Sequence, residues 1–246
     1  MNKRGTILMA VSGKGGVGKS SLAATIGREL ARLDQRVLLV EMEPGLGAFD
    51  LLLGLERGVC SLSDFLDGRC AAKECILSVP GEPGLWAILA PDERDFAYDP
   101  PVFAEKMKGL AGSFDFILIE TPPGFGLWFE AAKNAADEAV IVATPDLPCL
   151  RDGRAVSDRL DERPQIRQRL VINRLDVKLF CQRRPIPHLD FAIDTVGAQL
   201  LGVVPEDREL PYRLGAGMAL PQQSGAQAAC RRIALRLLGQ AAKLGV

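Results

Sequence analysis

Histidine is almost absent from this sequence, since His188 is the only one. The six cysteines are Cys60, Cys70, Cys75, Cys149, Cys181 and Cys230. They include no C-x-x-C pair, and zinc sites in proteins are usually built from cysteine and histidine ligands at such short spacings. The sequence therefore predicts no structural zinc site. We expect scattered free thiols in a reducing compartment instead.

Long apolar runs are also missing, and no stretch approaches the roughly 18–20 residues of a membrane-spanning helix. The first segment, Met1–Val11, carries Lys3 and Arg4 before an apolar run. That run is too short for a signal peptide, and no small-residue cleavage site follows it. The net charge of −1 provides no overall attraction to nucleic acid or anionic lipid. These absences predict a cytoplasmic protein.

The chain shows no internal repeat, low-complexity stretch or long linker, which predicts one domain over residues 1–246. Short runs of Ile, Val and Leu predict strands that are covered on both faces. These strands are Thr6–Ser12, Arg36–Val40, Leu85–Leu89, Phe114–Glu120, Glu138–Ala143, Leu170–Asn173 and Leu200–Val204. The predicted helices are Lys19–Leu33, Pro101–Leu110, Leu127–Ala136, Arg151–Leu160 and Gln222–Leu244. The alternation predicts an α/β fold with a mostly parallel, twisted sheet, helices on both faces and a ligand at the carboxyl ends of the strands.

A glycine-rich loop follows the first predicted strand and leads into the first helix. Residues 13–20 match the pattern G-x-x-x-x-G-K-[ST] of a phosphate-binding loop in its required context. The backbone N–H groups of such a loop surround the phosphates, Lys19 contacts the β- and γ-phosphates, and the Ser20 hydroxyl binds Mg²⁺. The sequence therefore predicts a single-domain P-loop NTPase fold that binds ATP and Mg²⁺. The expected loop contacts are Gly13, Gly15, Gly16, Val17, Gly18, Lys19, Ser20 and Ser21.

The same glycines fit a second pattern. Gly13, Gly15 and Gly18 match G-x-G-x-x-G, and Glu41 lies where a dinucleotide-binding fold places its ribose-binding acid. A dinucleotide loop has no use for the Lys19–Ser20 pair, so ATP is the favoured ligand. A glycine-rich turn that binds nothing is the third and weakest interpretation.

An additional lysine, Lys14, gives the loop the signature of the deviant Walker A family, which includes MinD and ParA. The chain resembles this family over nearly its whole length, and it is most similar to the MinD branch. Residues 41–50 resemble the first switch of the family, and residues 114–124 resemble the Walker B strand with the second switch. Residues 171–174 resemble the adenine-contacting segment, and residues 201–207 resemble the last strand with the loop beside the adenine.

The resemblance implies an ATPase that acts as an ATP-dependent dimerisation switch. Two subunits would close around two ATP molecules, and Lys14 of each would contact the phosphates bound by the other. Asn173 and Arg174 would contact the adenine, with Pro205 and Asp207 beside it. The resemblance also implies a role in division-site placement or a related spatial process, with protein partners of the MinC and MinE type. A solvated loop lysine is the alternative interpretation of Lys14.

Three acids depart from the family pattern, because Glu41, Glu43 and Glu120 stand where the family has Asp. The resemblance implies that Glu43 orients the attacking water and that Glu41, Glu120 and Ser20 hold Mg²⁺. The catalytic residues that it implies are Lys14, Lys19, Glu43 and Glu120. Each extra methylene moves a carboxylate up to ~1.5 Å further from the backbone. Catalysis depends on position more steeply than binding does. We therefore expect ATP binding with slow turnover, and a non-hydrolysing ATP-binding module is the first alternative.

Two basic regions allow further alternatives. The predicted last helix has an apolar stripe and no acid, which is typical of a face packed on the sheet; the alternative is a surface helix on anionic lipid. The membrane-targeting tail of the MinD branch looks absent after this helix, so contact with the inner face of the cell membrane would be peripheral.

Residues 151–184 carry ten basic residues against five acids. A solvated face is the favoured explanation, and a ParA-like DNA-partition ATPase is the alternative, although nucleic-acid binding is not expected from the whole-chain charge.

Overall fold

The computed structural model describes residues 4–183, 186–219, 221 and 224–245. Within these residues one eight-stranded sheet has the order β3-β4-β2-β5-β1-β6-β7-β8. The strands are β1 (Thr6–Val11), β2 (Val37–Glu41), β3 (Leu77–Ser78), β4 (Leu85–Ile88), β5 (Phe116–Glu120), β6 (Glu138–Ala143), β7 (Arg167–Leu175) and β8 (Gln199–Pro205). Only the short edge strand β3 is antiparallel to its neighbour. The predicted α/β fold with a mostly parallel sheet is confirmed.

The helices alternate with the strands along most of the chain. They are α1 (Lys19–Ala31), α2 (Phe49–Leu53), α3 (Leu62–Leu66), α4 (Ala72–Cys75), α5 (Pro100–Leu110), α6 (Leu127–Ala135), α7 (Leu147–Leu160), α8 (Val177–Arg183), α9 (Leu189–Val196), α10 (Leu210–Gly215) and α11 (Gly225–Leu237). Helix α7 begins four residues before its predicted start, because the Asp146 side chain caps it by accepting from the Cys149 N–H. Among the described helices, none is long and apolar enough to cross a lipid bilayer.

The predicted extension of the last helix to Leu244 is wrong. Helix α11 ends at Leu237, and two residues later Gly239 adopts a φ of 77°, a left-handed conformation that stops helices. The Arg236 guanidinium then donates to the carbonyls of Ala242 and Leu201, which folds the tail back onto the sheet. The predicted start at Gln222 lies outside the described residues. The apolar face of α11 is packed against α1 and β8, with Ile233 buried, as the favoured interpretation expected.

The central strands bring the predicted site residues to one edge of the sheet. Strand β5 lies between β1 and β2, and all five of its residues are buried. In the parallel register Glu120 is paired with Ala10 on one side and with Glu41 on the other. The phosphate loop follows β1 directly. The carboxyl ends of β1, β2 and β5 therefore place both acids beside the loop.

Candidate nucleotide-binding site

The phosphate loop occupies residues 12–18, between β1 and α1. Gly18 caps α1 with a φ of 93°, and a Cβ there would lie 2.5 Å from the Asn173 Nδ2 atom. This position therefore needs glycine for both its conformation and its space. The stretch from Lys14 to Gly16 is exposed and Gly13 is half-buried, whereas Val17 is buried beneath the loop. The glycine-rich turn thus presents its outer surface to solvent at the start of a helix, where anions bind.

The two lysines of the loop are in opposite environments. Lys19 is only 5% exposed, and its Nζ donates to the Ser12 hydroxyl at 3.0 Å. Burial lowers the pKa of Lys19, and the charges of Glu120 and Glu43 oppose that shift. Lys14 is exposed, and within the described part of the chain its ammonium forms neither an ion pair nor a hydrogen bond. Lys19 is thus fixed inside the site, whereas Lys14 is free to contact a group outside it.

Ser12, which the sequence motif does not include, organises the loop. Its hydroxyl donates to the Lys14 carbonyl at 2.7 Å and accepts from Lys19. Its carbonyl accepts from the Gly124 N–H at 2.9 Å, so it also ties the segment after β5 to the loop. No sequence signal marks this residue apart from its position directly before Gly13.

Glu120 is a buried acid with one oxygen left unpartnered. Its Oε1 accepts from the Ser20 hydroxyl at 3.0 Å, whereas Oε2 is buried with no partner among the described residues. Burial, opposed mainly by the charge of Lys19, raises the pKa of Glu120 to about 8. An orphaned carboxylate oxygen beside a serine hydroxyl is a donor set that fits Mg²⁺, which prefers oxygen ligands. The structure therefore brings Ser20 and Glu120 together, and their role as metal ligands stays a prediction.

Glu41 has a different environment from Glu120. Its Oε1 accepts from the backbone N–H groups of Ala48 and Phe49, the latter at 2.9 Å, and its Oε2 accepts from the Ala90 N–H at 3.3 Å. The carboxylate therefore holds the turn before α2 against the loop after β4. Burial raises its pKa, and these backbone donors oppose the shift. Backbone amides occupy both oxygens of Glu41, which leaves neither oxygen unpartnered for a metal ion. The role of Glu41 as a metal ligand stays a prediction.

Glu43 lies between these acids and solvent. It is half-buried, and its charge acts on the pKa values of both Lys19 and Glu120, so its carboxylate is close to the phosphate loop. Tyr98 fixes the neighbouring backbone, because its hydroxyl donates to the Met42 carbonyl at 2.8 Å. Glu43 is thus within electrostatic reach of the site, and its side chain has no side-chain partner among the described residues.

The residues predicted to surround the adenine come together at the ends of β7 and β8. Asn173 is buried, and its Nδ2 donates to the Val17 carbonyl at 2.7 Å, which clamps the phosphate loop. Arg174 follows it with a φ of 57° and an exposed side chain. Pro205 ends β8, and Asp207 accepts from the Ser224 hydroxyl at 2.6 Å, which connects this loop to the cap of α11. The adenine roles stay predictions, whereas the clamp by Asn173 is a contact that the sequence did not reveal.

A group of exposed apolar side chains follows strands that end at the same edge of the sheet as the loop. They are Leu46, Leu51, Phe125, Leu127 and Leu147, each between 47% and 67% exposed. All five follow the carboxyl ends of parallel strands, in the segments after β2, β5 and β6. Apolar side chains in such a group are typical of a surface that becomes covered by another protein.

Comparison with known proteins shows which proteins the chain is similar to. Residues 8–220 match the family model of the CobQ/CobB/MinD/ParA nucleotide binding domain. The septum site-determining protein MinD of Bacillus subtilis is 31% identical over 98% of this chain and 92% of its own length.

Solved structures give the same result. The chain superposes on the MinC:MinD cell division protein complex of Aquifex aeolicus with a TM-score of 0.89 and 29% identity, covering 97% of this chain and 98% of that one. It superposes on the septum site-determining protein MinD of Pyrococcus horikoshii, complexed with Mg-ADP, with a TM-score of 0.83 and 26% identity. This superposition covers 94% of this chain and 95% of that one.

Proposed function

The chain belongs to the CobQ/CobB/MinD/ParA nucleotide-binding family and is an ATPase of its MinD/ParA group, and we propose that it is an ATP-dependent dimerisation switch. ATP and Mg²⁺ bind at the carboxyl edge of the sheet, and two subunits close face to face over the bound nucleotides. The joined form presents a surface to protein partners, and hydrolysis separates the subunits. Each stage uses residues that meet at this edge.

The exposed Lys14 is the observation that carries this proposal. A single-subunit ATPase needs one lysine at the β- and γ-phosphates, and the buried Lys19 already fills that position. The ammonium of Lys14 has no partner among the described residues of its own subunit, and the exposed apolar group follows strands that end at the same edge of the sheet. When a second copy covers that group, the partner subunit's Lys14 reaches the phosphates and stabilises the charge that develops on them, as an arginine finger does.

The remaining residues have separate roles in the reaction, in which water attacks the γ-phosphate. Lys19 donates to the phosphate oxygens, and the anion in turn raises the pKa that burial has lowered. Glu43 orients the attacking water. Ser20 and Glu120 would hold Mg²⁺, which when bound would offset charge on the phosphates. Glu41 acts through the turn before α2, whose position it fixes.

Slow turnover is part of the proposal. Both oxygens of Glu41 accept hydrogen bonds from backbone amides, and Glu43 has one methylene more than the aspartate of the family pattern. The attacking water is therefore held less rigidly than ATP is. A DNA-partition role is less favoured, because part of the basic region at 151–184 is paired with acids: Arg154 contacts Asp158 at 2.7 Å and Arg167 contacts Glu138 at 3.3 Å. The septum site-determining relatives instead favour cytoplasmic spatial regulation of division, with a partner of the MinC type.

Calorimetry with Mg²⁺ and ATP tests the binding step. We expect Lys19→Ala to weaken ATP affinity at least about 100-fold, because a buried charge-assisted contact to phosphate is lost. Lys14→Ala, which changes the exposed lysine of the same loop, is the matched control and keeps the affinity of a single subunit. Equal affinity in wild type and Lys19→Ala would show that ATP binds elsewhere or not at all.

A further inference from the structure

Three cysteines that form no short sequence motif come together in the segment between α2 and β3. The sulfur atoms of Cys60, Cys70 and Cys75 all lie within 4.8 Å of one another, and those of Cys70 and Cys75 are 2.8 Å apart. The expectation of scattered thiols is therefore wrong for half of the six cysteines. Intervals of nine and four residues separate these three, so their convergence depends on the path of the chain and not on a short motif.

The backbone around the cluster is fixed by polar contacts. Cys60 directly precedes Ser61, the cap of α3, whose backbone N–H donates to Asp64 at 2.9 Å. Arg69 then pairs with Asp64 at 2.9 Å, which fixes the chain next to Cys70. Cys75 is the last residue of α4 and is fully buried, whereas Cys60 and Cys70 are half-buried. One cysteine of the cluster is thus buried, and the other two are partly accessible to solvent.

We propose that Cys60, Cys70 and Cys75 form a three-thiolate site for one soft metal cation of the zinc and cadmium type, with solvent as the fourth ligand. Tetrahedral zinc has Zn–S bonds of about 2.3 Å, which places its sulfur ligands about 3.8 Å apart. The three sulfurs lie within 4.8 Å of one another, a range that includes this distance, and the Cys70–Cys75 pair has to open by about 1 Å. The cation replaces the protons of the three thiols, which are released to solvent.

The chemistry of the ligands selects this class of cation. Thiolates prefer soft or borderline ions, whereas Mg²⁺ and Ca²⁺ prefer oxygen, so the site does not compete with the nucleotide site for Mg²⁺. An iron–sulfur cluster places several atoms between its cysteines and needs them further apart than they lie here. A disulfide would use two of the three sulfurs and would leave the convergence of the third unexplained.

The cation would stabilise the segment between α2 and β3. Helix α3 is attached to the loop after β4 by the Leu62 N–H, which donates to the Leu89 carbonyl at 3.0 Å, and by Ser63, which donates to Glu93 at 2.7 Å. Ala90, between these acceptors, donates to Glu41. One ion that joins residues 60, 70 and 75 therefore adds its binding free energy to the folding of this segment, since the three ligands converge only in the folded chain.

A cadmium titration of the full chain tests the site. The protein is reduced, stripped of metal with a chelator and titrated with Cd²⁺ while the ultraviolet sulfur-to-cadmium charge-transfer absorption is recorded. We expect one cadmium per chain, a ¹¹³Cd chemical shift typical of three sulfur ligands, competition with Zn²⁺ in which Cd²⁺ binds more tightly, and a higher midpoint of thermal unfolding. Cys60→Ser and Cys70→Ser should each weaken cadmium affinity at least about 100-fold. This loss is larger than the one expected from changing a residue that contacts a ligand but not the metal.

Cys181→Ser is the matched control, because that cysteine is exposed and outside the cluster. The two half-buried positions decide the test, since a change at the buried Cys75 could disturb folding. ATP binding by calorimetry, which does not depend on this site, reports that each variant is folded. A wild-type protein that takes up no cadmium, or a Cys70→Ser variant that binds it as tightly as Cys181→Ser does, overturns the proposal.

Discussion

At the scale of single residues, the unpartnered oxygen of Glu120 makes cation binding depend on pH. Its pKa of about 8 keeps the buried carboxyl protonated at neutral pH, and Mg²⁺ requires the ionised form. Binding must therefore release a proton. The affinity for Mg²⁺ with ATP falls as the pH drops below about 8, by up to about tenfold per pH unit.

Calorimetry in buffers of different ionisation enthalpy measures this proton directly. We expect net proton release at about pH 7 and a steady loss of affinity from about pH 8 to about pH 6. Glu120→Gln keeps the size of the side chain without the titration, so its weaker affinity should vary little over this window. A wild-type affinity that is flat over the same window would show that Glu120 is ionised before the cation binds.

Asn173 gives a second test at this scale, because its side-chain amide holds the Val17 carbonyl. We expect Asn173→Ala to weaken ATP binding about tenfold, the usual cost of leaving a buried carbonyl without its donor. The binding of inorganic tripolyphosphate, which has no adenine base, should be weakened by the same factor. If only ATP is affected in a competition assay, the amide contacts the adenine, as the family resemblance implies.

At the scale of elements, the turn before α2 depends on Glu41. Its carboxylate accepts from three backbone N–H groups, and aspartate is too short to reach them all. We expect Glu41→Asp to lower the free energy of unfolding by about 1–3 kcal/mol and to speed hydrogen exchange at residues 47–53. Glu56→Asp, on an exposed side chain in the following segment, is the control. Unchanged exchange in Glu41→Asp would mean that the turn is held by its apolar contacts alone.

The sequence predicted the elements that have a strong local signal. The loop from β1 to α1 was predictable because glycines, a lysine and a serine at fixed spacing leave few alternatives. Helices α2, α3 and α4 were missed, because four or five residues are too few to show a helical period. The cysteine cluster was missed for a related reason, since it forms where these short helices turn the chain.

Within the site, the sequence identified which residues meet but not what each one contacts. Lys19, Ser20 and Glu120 come together as predicted, because parallel strands end at one edge. The partners of Glu41 and Asn173 are backbone groups in other loops, and backbone groups leave no trace in the pattern of side chains. Ser12 was missed because a serine before a glycine-rich loop is common in many contexts.

At the scale of the whole molecule, the central claim is that the site is completed by a second copy. One subunit leaves Lys14 and a group of apolar side chains exposed at the nucleotide edge. Covering this group would favour association, and the lysine would make association depend on ATP, since without the phosphates two lysine-bearing faces repel each other. The subunits are therefore expected to be monomeric without nucleotide and dimeric with it.

Sedimentation velocity with Mg²⁺ and a slowly hydrolysed ATP analogue tests this claim most directly. We expect wild type and Lys108→Ala, a change of an exposed lysine on α5, to shift from monomer to dimer. Lys14→Ala should bind the analogue, remain monomeric and lose ATP hydrolysis. A Lys14→Ala protein that dimerises as wild type does, or a wild type that stays monomeric with the analogue bound, would contradict the proposal.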